Sequence, residues 1–94
     1  MGSIRQLFWD ERNEGHIARH RVSREEVEEV CFGRYWMLRA SGRMRKAVFG
    51  QTLAGRYLLV VLSMRSYDRY YVVTARDMTQ TERRRYQMWK GRRR

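Results

Sequence analysis

Arg76 ends the apolar run VVTAR (72–76), and Arg83, Arg84 and Arg85 follow it on a segment with helical character. A guanidinium stays protonated and offers a planar fork that grips two phosphate oxygens, so an arginine at a strand end beside a cationic helix suits a polyanion. Two other residue types invite chemistry. His16 and His20 stand four apart, a metal-ligand spacing on a helix, but no third ligand accompanies them and no metal site is expected. Cys31 lies in an apolar stretch without a basic neighbour, which reads as a structural thiol. As the only cysteine it excludes an intrachain disulfide and fits a reducing cytoplasm. Neither a glycine-rich phosphate loop nor a serine or cysteine triad is present, so no cofactor is expected.

The formal net charge is +11, and its distribution is uneven. Residues 10–29 carry seven acids against four bases, a sum of −3, whereas residues 30–81 sum to +7 and residues 82–94 to +6. A field of this kind suits an RNA or DNA backbone, an anionic membrane surface or an acidic protein. Apolar residues make up 43% of the 94, enough for one core. No apolar run is long enough to span a membrane, and no signal-peptide pattern opens the chain. The expectation is a single domain over 1–94, folded from about 4 to 90, with a basic tail at 91–94.

The elements that must position these residues follow from local patterns. IRQLFWD (4–10) reads as a short strand, with Asp10 capping a helix over 11–20 that places Asn13, Ile17 and His20 on one stripe. Ser23 and Glu26 form a capping box flanked by Val22 and Val27 at the staple positions. This second helix turns Val27, Val30 and Cys31 inward and stops at Gly33, so an αα-hairpin is expected. Strands follow at 35–40, 46–52, 57–64 and 70–76, with turns at SGR (41–43), AGR (54–56) and RSYDR (65–69). The 57–64 run is apolar on both pleat faces, which predicts a central strand covered by helices on one side. Alternation puts Tyr70, Val72, Thr74 and Arg76 on one face of the last strand. Thr79 and Glu82 form a second capping box for a C-terminal helix carrying Tyr86 and Trp89. The predicted class is α+β, in the order βααββββα with an antiparallel sheet.

Three blocks, FWDERNEGHIARHRVSREEVEEV, GRYLLVVLS and VVTARDMTQTERRRY, together resemble the BrnT family of bacterial type II toxins over roughly residues 7–86. The resemblance implies a RelE-like fold and a ribonuclease that blocks translation. It also implies a small BrnA-type antitoxin whose DNA-binding part represses the shared operon, so that operator DNA is reached only through the antitoxin. The family's KHG step corresponds to Arg19, His20 and Arg21, its SAR step to Thr74, Ala75 and Arg76, and its C-terminal helix pattern to Glu82, Arg83 and Tyr86. Where many relatives carry an acid before an arginine, this chain has Met44-Arg45.

Metal-independent RNA cleavage needs a base for the 2′-hydroxyl, charge to stabilise a phosphorane and an acid for the leaving oxygen. One preorganised donor for the developing charge is worth about 3–4 kcal/mol. Arg76 and Arg45, expected on neighbouring parts of one sheet face, are the candidate phosphate ligands. For Arg76 the competing role is an ion pair with Asp77 or Glu82, and for Arg45 an exposed edge charge. His20 or Tyr86 would move protons, with hairpin or helix packing as the competing roles. Lys46, Arg83 and Arg84 are candidate RNA contacts. Tyr70, Tyr71, Trp36 and Trp89 interleave with basic residues as stacking platforms or belong to the core. The alternative function is a non-catalytic nucleic-acid- or partner-binding module on the same fold, for which the missing acid at Met44 speaks. Lipid attachment is disfavoured because no helix combines a broad apolar face with the basic one.

Overall fold

Asp10 accepts a hydrogen bond from the backbone of Asn13 while the Asn13 side chain accepts one from Asp10 N–H, both at 2.9 Å, and this reciprocal cap fixes where the first helix starts. The computed structural model describes residues 3–42 and 44–92. Its elements run β1 (Gln6–Phe8), α1 (Glu11–Ala18), α2 (Arg24–Cys31), β2 (Tyr35–Arg39), β3 (Arg45–Gln51), β4 (Tyr57–Ser66), β5 (Arg69–Asp77) and α3 (Gln80–Arg92). The class is α+β. The last residue of the expected SGR turn, Arg43, and the last two residues of the expected tail, Arg93 and Arg94, lie outside the described residues. Gly91 and Arg92, by contrast, continue α3.

The five strands form one sheet in the order β1-β5-β4-β3-β2. Short turns make β2 through β5 antiparallel, but β1 pairs parallel with β5, matching Leu7 to Tyr70, so the sheet is mixed and not antiparallel throughout. The αα-hairpin carries the chain from β1 at one edge of the sheet to β2 at the other, and the antiparallel run from β2 returns as β5 beside β1. β4 is central as expected, yet helices lie on both of its faces, α3 over its first part only. Leu58, Val60 and Leu62 point to α1 and α2, while Tyr57, Leu59 and Val61 point to α3.

The hairpin side is dry. Val27 and Val30 of α2 meet Val48, Val60 and Val72, and none of these is more than 1% exposed. α2 approaches so closely that a Cβ on Gly50 would lie 2.8 Å from Val30 Cγ1, which is why glycine stands one residue before the end of β3. Cys31 is buried here, and burial pushes its thiol up to about 12, so the group is an inert part of the core. Asn13, equally buried, spends its amide on Phe8 O and Val72 O at 2.9 and 3.1 Å and so pins α1 against β5. His20 does not share that stripe. α1 ends at Ala18, and His20 is exposed on the following turn.

A β-bulge changes the reading of β5. Val61 pairs with Thr74 and Leu62 with Val72, so Val73 is an extra residue. Beyond it the alternation changes phase: Ala75 joins Tyr70 and Val72 in the hairpin-side core, and Arg76, opposite Leu59, moves to the α3 side. Strict alternation had put Arg76 with Tyr70 and Val72, and the inserted residue is the reason it is not there.

Candidate functional site

α3 covers only one end of its side of the sheet. The helix opens with the expected capping box: Thr79 N–H donates to Glu82 at 2.8 Å and Thr79 Oγ1 accepts from Glu82 N–H at 3.1 Å. It then lays Tyr86 on Phe49 and Leu59 and stacks Trp89 on Trp36 of β2 with ring centroids 5.9 Å apart. Lys90 reaches Gln51 at the end of β3. Past this cover Ala47, Val61, Ser63, Val73 and Thr74 are only half-buried. A strip of sheet is therefore left open, and cations border it.

At its α3 end lies Arg76. Its guanidinium donates to both carboxylate oxygens of Glu82 at 2.9 and 3.0 Å and to the Asp77 carbonyl at 2.9 Å. The hydrogen bond from Arg76 is the main reason the Glu82 carboxyl sits below its usual range, and the same bond raises Arg76. The guanidinium keeps its Nε–H and one Nη2–H without a protein partner among the described residues. The adjacent Asp77 carboxylate takes Arg56 Nε–H at 2.8 Å, which holds it below the usual range. Arg56 also donates to Glu26 at 3.0 Å and to the carbonyls of Arg21 and His20 at 2.6 and 3.3 Å. One half-buried arginine thus ties the hairpin turn to the end of β5. The sequence offered it only as part of a turn, because nothing in AGR marks a side chain with four acceptors.

The other expected site residues are dispersed. Arg45 starts β3 on the same side as Phe49, exposed and without an ion pair among the described residues. Its partner is Ser63 while Arg76 sits opposite Leu59, four residues further along β4. That is about 13 Å along the strands and about 10 Å across them, so the two arginines share a face without being neighbours. Lys46 points to the opposite, hairpin side. Arg83 lies over the Tyr57 ring at 4.0 Å and Arg84 is exposed on α3. Tyr86 is 2% exposed, locked between Tyr57, Trp89, Phe49 and Leu59, and desolvation pushes its phenol up. It is a core residue, with no ring face for a base. The ring of His20 meets that of His16 edge-on at 5.8 Å.

A second cluster escaped the sequence reading. Between the start of α1 and β5 is a cavity of about 350 Å³ lined by Asp10, Arg12, His16, Arg65 and Tyr71, with Val73 and Asn13 at its floor. The Tyr71 hydroxyl donates to Asp10, 3.2 Å from each carboxylate oxygen, and the Arg65 guanidinium lies 4.6 Å from the Tyr71 ring centre. Desolvation, and next the hydrogen bond to Asp10, push the Tyr71 phenol up. Backbone hydrogen bonding from Asn13 holds the Asp10 carboxyl down. The available signal was the Arg12/His16 spacing on one helix face beside a capping aspartate. Nothing local indicated that Tyr71 and Arg65, about fifty residues away, would complete it.

Residues 9–82 match the family model of BrnT, described as the ribonuclease toxin of a type II toxin–antitoxin system. No curated protein matches the chain.

Proposed function

The chain belongs to the BrnT family of ribonuclease toxins of type II toxin–antitoxin systems, and from that premise we propose how it acts. It is a metal-independent endoribonuclease of RelE-like fold that inhibits translation in the cytoplasm, and a BrnA-type antitoxin neutralises it by covering the basic side. Operator DNA is bound only through that antitoxin. The observation that carries this reading is the half-covered strip of sheet on the α3 side, bordered by Arg45, Arg65 and Arg76. RNA laid on this strip meets guanidinium groups at both ends, which offset the charge gained at a phosphorane. Arg76 presents its two uncommitted N–H groups to a phosphate while Glu82 fixes the plane of the fork. Arg45 holds a neighbouring phosphate, His20 stands as an exposed imidazole at the hairpin turn, and Arg83 and Arg84 add long-range attraction.

The non-catalytic reading retains one specific observation in its favour. Three of Arg76's five N–H groups are already spent within the protein, and Met44 stands where the family resemblance implies an acid. The decisive experiment is cleavage of a labelled RNA by the purified chain in the presence of chelator, beside Arg45→Ala/Arg76→Ala and His20→Ala variants. Cleavage by the wild type and about a 100-fold loss in the double variant is expected. RNA binding without cleavage, on naked RNA and on translating ribosomes alike, would favour the binding module.

A further inference from the structure

We propose that the cavity between α1 and β5 is where the protons move in RNA cleavage, with His16 and Tyr71 as catalytic residues and Arg12 and Arg65 as ligands of the scissile phosphate. The inference rests on the ribonuclease reading above and relocates both its acid–base chemistry and its scissile phosphate, leaving Arg45 and Arg76 to hold flanking phosphates, because Tyr86 is sealed in the core and His20 lies on a turn outside the cavity.

Four features converge on it. Tyr71 and Val73, which line the cavity from β5, face away from the buried Tyr70 and Val72, so on that side the cavity adjoins the uncovered strip. It joins an imidazole, a phenol and two guanidiniums within about 350 Å³. Arg12 and Arg65 form no ion pair among the described residues, so both remain available to an anion. Lastly, Asp10 fixes the Tyr71 hydroxyl through both its oxygens, and the capping box fixes Asp10 in turn. The larger cavity beside α2 lacks this character. It sets Glu14, Glu25 and Glu28 against one base, Arg24, and that excess of negative charge repels a phosphate.

The step balances within the site. Neutral His16 takes the proton of the 2′-hydroxyl as that oxygen bonds to phosphorus. The bond from phosphorus to the 5′-oxygen breaks, and Tyr71 gives its phenolic proton to the leaving oxygen. The products are a 2′,3′-cyclic phosphate end and a 5′-hydroxyl end. The imidazolium then returns its proton to the phenolate, restoring both groups, while Arg12 and Arg65 offset the extra charge on the phosphorane.

The test uses two substrates, ordinary RNA and the same RNA with sulfur replacing the 5′-bridging oxygen at the cut phosphate, because a thiolate leaves without a proton. His16→Asn is expected to lose about 100-fold on both substrates. Tyr71→Phe is expected to lose about 100-fold on ordinary RNA and to recover to near wild-type rates on the sulfur substrate, a rescue that misfolding cannot mimic. Near-normal cleavage by His16→Asn, or equal impairment of Tyr71→Phe on both substrates, would overturn the assignment. If the wild type cuts neither substrate, the ribonuclease reading fails by itself. Titration of a 2′,3′-cyclic nucleotide into isotope-labelled protein then tests the pocket, and His16 ring resonances that stay still overturn it.

Discussion

The two faces of the sheet are built from one strand pattern and end in opposite conditions. On the hairpin side, two helices close over Val48, Val60, Leu62 and Val72, all completely buried. On the other, one helix seals Phe49, Leu59 and Tyr86 and leaves Val61, Val73 and Thr74 half-exposed. Charge follows the same division. Most of the acids ride on the outer surfaces of α1 and α2, and arginines frame the open strip. A sheet that needs both faces buried for stability would not leave one open, so the hairpin side carries the stability and the α3 side is free for a ligand.

The sharpest way to break that comparison is to truncate one residue on each face. Leu62→Ala is expected to cost about 2–5 kcal/mol, because the cavity it leaves is closed on every side. Val61→Ala, its neighbour on the open face, should cost about 1 kcal/mol, since that side chain is already half in water. At about 4–8 °C per kcal/mol for a chain of this size, thermal melts separate the two readily. Equal losses would mean that the α3 side is as much core as the other.

Next in size is Arg56→Ala, which tests how the two faces are held together. Arg56 links Glu26 and the hairpin turn to Asp77, and its side chain is only 26% exposed. A loss of about 2 kcal/mol is expected, below the sum of its bonds because Asp77 is largely in solvent. The variant should also lower cleavage beyond what its melting explains, because Asp77 adjoins Arg76. Arg56→Lys, which keeps the charge and loses the fork, should recover little of the stability. Full recovery would reduce Arg56 to a point charge.

Glu82→Gln probes Arg76 alone. The Glu82 carboxyl titrates below its ordinary value when folded, so its contribution is present above pH of about 4.3 and is lost as the pH falls through the lower folded value. The variant should flatten that acid limb while Asp77, also lowered by its arginine, keeps a part of it. Because Arg76 is more than a third exposed, the stability lost at neutral pH should be about 1 kcal/mol or less. RNA affinity decides what the pair is for. Tightening beyond that of an exposed control, Glu11→Gln, means Glu82 competes with phosphate for the fork, whereas weakening means it positions the fork.

Much of this frame was legible in the sequence. The caps at Asp10, Ser23 and Thr79, the four late strands and the central place of 57–64 follow from local periodicity and hydrogen-bonding chemistry, which tertiary contacts reinforce. What was missed is non-local. The parallel pairing of β1 depends on which edge the crossover reaches, and the bulge at Val73 breaks a period-2 pattern without any glycine to announce it. The site suffered most. Arg76 lies near the end of β5 as expected, but Glu82 takes two of its five N–H groups, and Tyr71 reaches Asp10 across 61 residues of sequence.

The smallest effect expected runs the other way. Arg21 holds a backbone φ of 59° in the left-handed region. There its N–H donates to Ala18 O while Val22 N–H donates back to Ile17 O, the closure that glycine usually supplies at a helix end. A side chain at such a position costs roughly 1–2 kcal/mol. Arg21→Gly relieves that strain and also frees the unfolded chain, so the net gain should be about 0.5–1 kcal/mol, a few degrees in the melt. The carbonyl that Arg56 grips belongs to the backbone and survives the change, as does the buried Val22. Cleavage should therefore stay at the wild-type level while stability rises. A fall in cleavage with the melt raised would show that the Arg21 guanidinium itself meets RNA, and would extend the ligand surface from the open strip to the hairpin turn.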